Sequence, residues 1–160
     1  MFQTRSATPA DAAVITHHRH RMFVDAGRQD SQALKNMSAR FEPWVKDMLS
    51  SGKYMGWLTV DSDATDGEKV VAGAGLMILD WPPHPLDAGC YRGYLLNVYV
   101  EPQYRRKKLG SQLVERALAE ARQRNIRVVA LHSTDEGRPM YEANGFRKTN
   151  EMFYVEQFND

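Results

Sequence analysis

The sequence predicts an α/β protein: a single mixed, mostly antiparallel sheet with one parallel β–α–β crossover, flanked by helices. Three observations carry this prediction. The first is the order of strand-like runs and helical patterns, which reads β–α–α–β–β and then β–α–β–α–β. The second is the stretch 108–124, where Leu109, Leu113, Val114, Ala117, Leu118 and Ala121 recur at the helical period directly after an apolar strand. The third is size and composition. With 160 residues, 42% hydrophobic and 26% charged, the chain has the length of one domain over 1–160 and can bury a core without staples.

Taken in order, Phe2–Ala7 is a first short strand. Thr8 is an N-cap, Pro9 suits a first helical position and Asp11 is an acid in the first turn. The helix they open is expected to run to about Ala26, with Val14, Ile15, His18, Met22 and Phe23 near one side. A second helix fills roughly Ser31–Leu49, interrupted or restarted at Pro43 and ended by Gly52. Tyr54–Val60 and Val70–Leu79 are strands separated by the polar loop Asp61–Glu68. Trp81–Gly89 holds three prolines and excludes regular structure. Gly93–Val100, β-branched and aromatic, is another strand. After the 108–124 helix come a short buried strand in Arg127–His132, a short helix over Gly137–Asn144 closed by Gly145, and one or two final strands in Phe146–Phe158. The first half is expected to be antiparallel and the second to form the parallel crossover.

Composition narrows the function. A net charge of +1 gives no general pull toward nucleic acid or an anionic membrane. No apolar run approaches the ~20 residues that cross a bilayer, and the N-terminal residues lack the apolar core of a signal peptide. Cys90 alone cannot make an internal disulfide or a cysteine-rich zinc site. A cytoplasmic protein without membrane or nucleic-acid partners is expected. His17, His18 and His20 invite a metal reading, but no acid or thiol stands at ligand spacing and adjacent helical side chains diverge. A surface cluster is the expectation, with no metal.

The chemistry concentrates in Asn97–Gly110, NVYVEPQYRRKKLG. An apolar strand runs through a basic loop into a helix. Backbone N–H groups at a helix start are unpaired and partly positive. Arg105, Arg106, Lys107 and Lys108 add cations at the same place, and a pyrophosphate is the anion that suits them. Neither a Walker A loop nor a G-x-G-x-x-G is present. The competing reading is a solvated basic face. The position between strand and helix favours phosphate.

This window resembles the loop of the GNAT superfamily of N-acetyltransferases, whose pattern is Q/R-x-x-G-x-G/A. Arg105 matches its first position and Gly110 its last, while Lys108 stands at the usual first glycine. A lysine there supplies its N–H only if the position does not need a positive φ. MYEANGF, Met140–Phe146, resembles the L-Y-x-x-x-G-F segment of the same family, in register with the loop. The resemblance covers about Gly93–Phe153, and the first ninety residues by element order.

It implies a GNAT-like fold with splayed central strands. It also implies transfer of an acetyl group from acetyl-CoA, the acyl-donor substrate, to a primary amine of a small molecule or of a protein or peptide. The alternative is a non-catalytic acyl-CoA-binding or sensing module, favoured by Lys108 and opposed by Tyr141. Carried over residue by residue, the N–H groups of Arg106, Lys107, Lys108, Leu109, Gly110 and Ser111 would bind pyrophosphate, flanked by Arg105. The edge of Val98, Tyr99 and Val100 would pair with the pantetheine arm, and an N–H near Val98 or Tyr99 would polarise the thioester. His132 and Ser133 would line the slot, and Tyr141 would protonate the departing thiolate. Asn97, at the family's usual bulge, would orient substrate or stabilise the bulge. The base stays unassigned among Asp80, His84, Glu101, Glu151 and water, with Glu101 expected to face solvent. Phe23, Met37, Phe41 and Trp44 would line the acceptor end or be plain core. The expected partners are acetyl-CoA and an amine acceptor, with a homodimer left open.

Overall fold

The computed structural model describes residues 1–65, 67 and 69–156. Strand β1, Phe2–Ser6, leads into a 3-10 turn at Pro9–Asp11 and helix α1, Ala12–Asp25. The Asp11 carboxylate accepts the Thr8 N–H at 2.7 Å and both terminal nitrogens of Arg5, which closes the turn. Helix α2, Ser31–Ser51, starts on the Asp30 carboxylate, which accepts the N–H groups of Gln32 and Ala33. It ends at Gly52, whose φ of 73° is the left-handed turn that favours glycine. The break expected at Pro43 is absent. Leu34, Phe41 and Val45 are buried on both sides of the proline, so packing on the sheet holds the helix through the lost hydrogen bond.

Strands β2 (Tyr54–Asp61), β3 (Lys69–Asp80) and β4 (Tyr91–Val100) follow, then α3 (Leu109–Gln123), β5 (Val129–Ala130) and α4 (Arg138–Ala143). The five strands lie in the order β1-β2-β3-β4-β5. The first three pairings are antiparallel, and β4 pairs with β5 in parallel across α3. Helix α3 covers one face through Leu109, Leu113, Val114, Ala117 and Ala121 against Trp57, Ala74, Leu76 and Leu95. The other face carries α1 and α2, with Ile15, Phe41 and Val45 around Tyr54 and Leu58. Among the described residues, no helix is long and apolar enough to cross a membrane.

Three expectations fail in detail. The strand expected in Arg127–His132 is reduced to two residues, which meet β4 only at Gly93 and Tyr94. No strand forms in the described part of Phe146–Phe158, and Phe158 itself lies outside the described residues. So short a β5 offers a further strand almost no ladder to join, and Met152, Phe153, Tyr154 and Val155 are exposed. Third, the histidines are no surface cluster. His18 is buried against the Tyr99 ring, 5.0 Å between centroids, while His20 meets Ser38 and His17 is exposed. Burial and the neighbouring His17 push His18 down to about 4, so its imidazole is neutral at neutral pH.

Candidate active site

Asn97 decides how β4 presents its edge. Leu96 pairs with Gly75 and Tyr99 with Gly73, so Ala74 alone faces Asn97 and Val98. This is a bulge, and Asn97 takes a φ of 55°, a conformation asparagine tolerates better than most side chains. The bulge reverses the alternation of the strand. Ahead of it, the Gly93 N–H donates to Val128 on the β5 side at 2.9 Å. Beyond it, the Glu101 N–H donates to Val71 on the β3 side, also at 2.9 Å. The polar groups of Tyr99 therefore face β3, and those of Val98 and Val100 face away from it. Since β5 leaves β4 after Tyr94, that edge is open except at the Val100 carbonyl, which accepts Arg105 Nε. Of the two amides named from sequence as the oxyanion donor, geometry leaves Val98 free and turns Tyr99 into the sheet.

The Asn97 side chain holds this bend. Its Oδ1 accepts Arg19 Nη1 at 2.7 Å and its Nδ2 donates to the Tyr54 hydroxyl at 3.1 Å. Tyr54 is buried, which pushes its phenol up to about 12. Its ring occupies the space beside Gly75, where an added Cβ would stand 2.0 Å from the hydroxyl, so only glycine fits. Of the two roles weighed for Asn97, its contacts match the structural one.

Past β4, a 3-10 turn at Pro102–Tyr104 leads to two left-handed residues, Arg106 (φ 65°) and Lys108 (φ 63°), before α3. The first backbone bond into α3 comes from the Gln112 N–H to Lys108 at 3.1 Å. Among the described residues, the N–H groups of Arg106 through Ser111 have no acceptor. Left-handed residues set next to residues of negative φ turn N–H groups to one side, as in an anion nest. The position of Lys108 thus does need a positive φ, and the lysine adopts it at a cost of about 1–2 kcal/mol. Replacing Lys108 with Gly removes that strain against the larger backbone entropy of glycine, for an expected gain of ~0.5–1 kcal/mol. Thermal unfolding of the variant checks this, and a lower midpoint would contradict it.

A cleft of about 770 Å³ lies between the open β4 edge, this loop and α4. Val98, Tyr99, Val100, Arg105, Arg106, Lys108, Leu109, Gly110, Ser111, His132 and Tyr141 surround it, as do Met22, Asp25, Ala26, Gly137 and Met140. Three residues named from sequence stand elsewhere. Asn97 is under the bulge, Lys107 lies over the Phe2 and Tyr104 rings at 5.2 and 5.3 Å, and Ser133 is passed over for Thr134. The Lys107 side chain points away from the cleft, between two left-handed residues, while its N–H stays in the unpaired run. Arg105 lines the cleft but is engaged. Its Nε donates to Val100 at 3.0 Å and its guanidinium pairs with Asp25. Gly110 lets α4 approach, since a Cβ there would lie 3.0 Å from Met140 Sδ and 3.6 Å from Val100. Ser111 Oγ accepts Asn144 Nδ2 at 3.0 Å, a second tie between α3 and α4.

Tyr141 stands edge-on to Phe146, 5.9 Å between centroids, and its hydroxyl has no hydrogen-bond partner among the described residues. Burial pushes the phenol up to about 12, so it carries its proton at neutral pH. His132 shares a 2.5 Å hydrogen bond with the Tyr94 hydroxyl. Among the base candidates, Asp80, His84, Glu101 and Glu151 all lie off the cleft wall. Glu101 also turns back from solvent, toward His17 and His18 at 3.8 and 3.9 Å. The α1 wall formed by Met22, Asp25 and Ala26 was missed from sequence. Its only signal was Met22 and Ala26 one turn apart.

An open strand edge, a helix-start loop with unpaired N–H groups and the Tyr141 hydroxyl border one cleft. The sequence matches the Acetyltransferase (GNAT) family over residues 15–146. A GCN5-related N-acetyltransferase from Ralstonia eutropha JMP134 is 36% identical, with a TM-score of 0.89 over 98% of this chain and 99% of that one. A predicted acetyltransferase from Clostridium acetobutylicum, solved with acetyl-CoA, is 24% identical, with a TM-score of 0.86 over 98% and 96%. Glucosamine-6-phosphate N-acetyltransferase from Arabidopsis thaliana shares the fold at 19% identity, with a TM-score of 0.65 over 100% and 99%. No curated protein sequence matches significantly. The chain belongs to the GNAT acetyltransferase family.

Proposed function

We propose that this protein is an N-acetyltransferase that moves the acetyl group of acetyl-CoA to a primary amine of a small molecule or of a protein or peptide. The observation that carries the reading is the run of unpaired N–H groups from Arg106 to Ser111, set beside the open Val98 and Val100 edge. In this reading the nest takes the pyrophosphate, with Arg106 and Lys108 adding charge. The pantetheine amides extend the sheet on Val98 and Val100. The Val98 N–H meets the thioester oxygen as negative charge develops there. The amine nitrogen bonds to the carbonyl carbon, the C–S bond breaks, and Tyr141 gives its proton to the leaving sulfur. The attacking nitrogen loses its proton to water; Asp80, His84, Glu101 and Glu151 lie off the cleft, and of the carboxylates on its wall Asp25 and Asp135 are paired with Arg105 and Arg138. The Clostridium relative, which was solved with acetyl-CoA, supports the choice of ligand. A cytoplasmic, one-domain protein over 1–160 completes the reading.

Two measurements test it. Calorimetric titration of acetyl-CoA is expected to show one site, weakened by Arg106→Ala and less so at high salt, because that charge is exposed. A thiol-release screen over an amine panel is expected to find a turned-over acceptor. Tight binding without turnover of any amine would favour an acyl-CoA sensor, and absence of binding would end the proposal.

A further inference from the structure

We infer that the acceptor amine carries an oxyanion, a carboxylate or a phosphate, and that Arg19 of α1 binds it. This rests on the acetyl-transfer reading and names the acceptor class of the same site. Arg19 lies on the α1–α2 face of the sheet, at the bulge. Its guanidinium stands 5.1 Å from the centre of the Phe23 ring and 4.8 Å from that of Phe41. Nη1 donates to Asn97 Oδ1 at 2.7 Å, which fixes the plane of the group. No carboxylate pairs with it among the described residues, whereas Arg5, Arg21, Arg105, Arg124 and Arg138 each have one.

The opposite edge of the guanidinium is without acceptors. Nε is buried and has no partner, and Nη2 makes no hydrogen bond among the described residues. Nε and Nη2 form the side of the fork that holds carboxylate or phosphate through two parallel bonds. A half-buried arginine with no counter-ion gains from a bound oxyanion that supplies one. Phe23 and Phe41 add a dry wall, which strengthens such a pair.

The location ties this charge to the reaction. Asn97, the residue Arg19 holds, directly precedes Val98, whose N–H is the one turned to the open edge. Arg19 reaches the bulge through the Asn97 side chain, 2.7 Å from Nη1 to Oδ1, so an acceptor with its amine at the thioester can turn its anion toward Arg19. Compact amino acids or amino phosphates therefore suit the site better than a bulky cationic acceptor.

The test uses matched pairs with acetyl-CoA saturating. One arm compares amino acids with their carboxamides, and the other compares phosphorylated amino alcohols with the parent amino alcohols. In at least one arm the anionic member is expected to exceed its neutral partner in kcat/KM by ~10–100-fold, the worth of a charged hydrogen-bonded pair. The arm that responds says whether the anion is carboxylate or phosphate. Arg19→Gln should bring that ratio close to one, mainly through KM, and Arg19→Lys should keep part of it. A purely structural arginine would lower both members of a pair alike and leave the ratio standing, which would overturn the inference. So would a wild-type preference for neutral amines. If acetyl-CoA binds and no amine is turned over, calorimetric titration of the same anionic amines onto the CoA-loaded protein decides. Heat lost in Arg19→Gln sustains the oxyanion site, and no heat in wild type refutes it. If acetyl-CoA itself does not bind, the acetyl-transfer reading fails by itself, and the same titration onto the free protein still judges Arg19.

Discussion

Tyr141→Phe is expected to cut turnover by roughly 10²–10⁴ while acetyl-CoA affinity stays within a few fold. The substitution removes one hydroxyl that has no hydrogen-bond partner among the described residues and keeps the ring on Phe146. Stability should hardly change, so the loss reports the missing proton donor. The pH dependence follows from burial. A phenol at its ordinary value of ~10 would shed its proton and stop the reaction as pH rises past that point. Burial pushes Tyr141 up to about 12, so the proton remains in place and turnover should show no fall from this group up to about pH 10. The measurement is kcat against pH at saturating substrates for both proteins. Near wild-type turnover in the variant would mean that another group, or water, protonates the thiolate.

Asn97→Ala is expected to damage both stability and activity. Loss of the amide leaves Tyr54 and Arg19 Nη1 without their partner, at a cost of about 1–3 kcal/mol. A Cβ residue without that side-chain support at a φ of 55° adds about 1–2 kcal/mol. Asn97→Gly keeps the first cost and relieves the second, so the order of stability should be wild type, then Gly, then Ala. Denaturant unfolding measures this. Once the bulge relaxes, the Val98 N–H is re-aimed, and turnover should fall by ~10²-fold or more, as for loss of one oxyanion donor. An alanine variant with wild-type stability would show that the bulge holds itself.

The framework of the fold was legible because its signals are local. The period of Leu109, Leu113, Val114 and Ala117 faces one cluster, and Gly52 ends α2 as a left-handed cap. The loop was legible for the same reason, since Pro102, the basic run and the periodic helix stand next to one another. What stayed hidden depends on partners distant in sequence. The continuity of α2 through Pro43 rests on buried Phe41 and Val45. The shortness of β5 depends on where β4 stops pairing. His18 reads as one of three polar histidines, yet its burial follows from the gap beside Gly73, where an added Cβ would stand 3.4 Å from its ring. Lys107 shared the charge of its neighbours, yet its side chain points away from the cleft, between two left-handed residues. Arg19 gave no sequence signal, because its meaning lies in Asn97, 78 residues away.

The central claim is that the 106–111 amides hold the pyrophosphate while the β4 edge holds the pantetheine arm. The most direct measurement is backbone amide NMR during titration with acetyl-CoA and, separately, with pantetheine alone. Acetyl-CoA is expected to move the signals of Arg106 through Ser111 together with those of Val98 and Val100. Pantetheine should move Val98 and Val100 and leave the loop unchanged. Shifts confined to other surfaces, or a loop that stays silent while acetyl-CoA saturates the protein, would contradict the account.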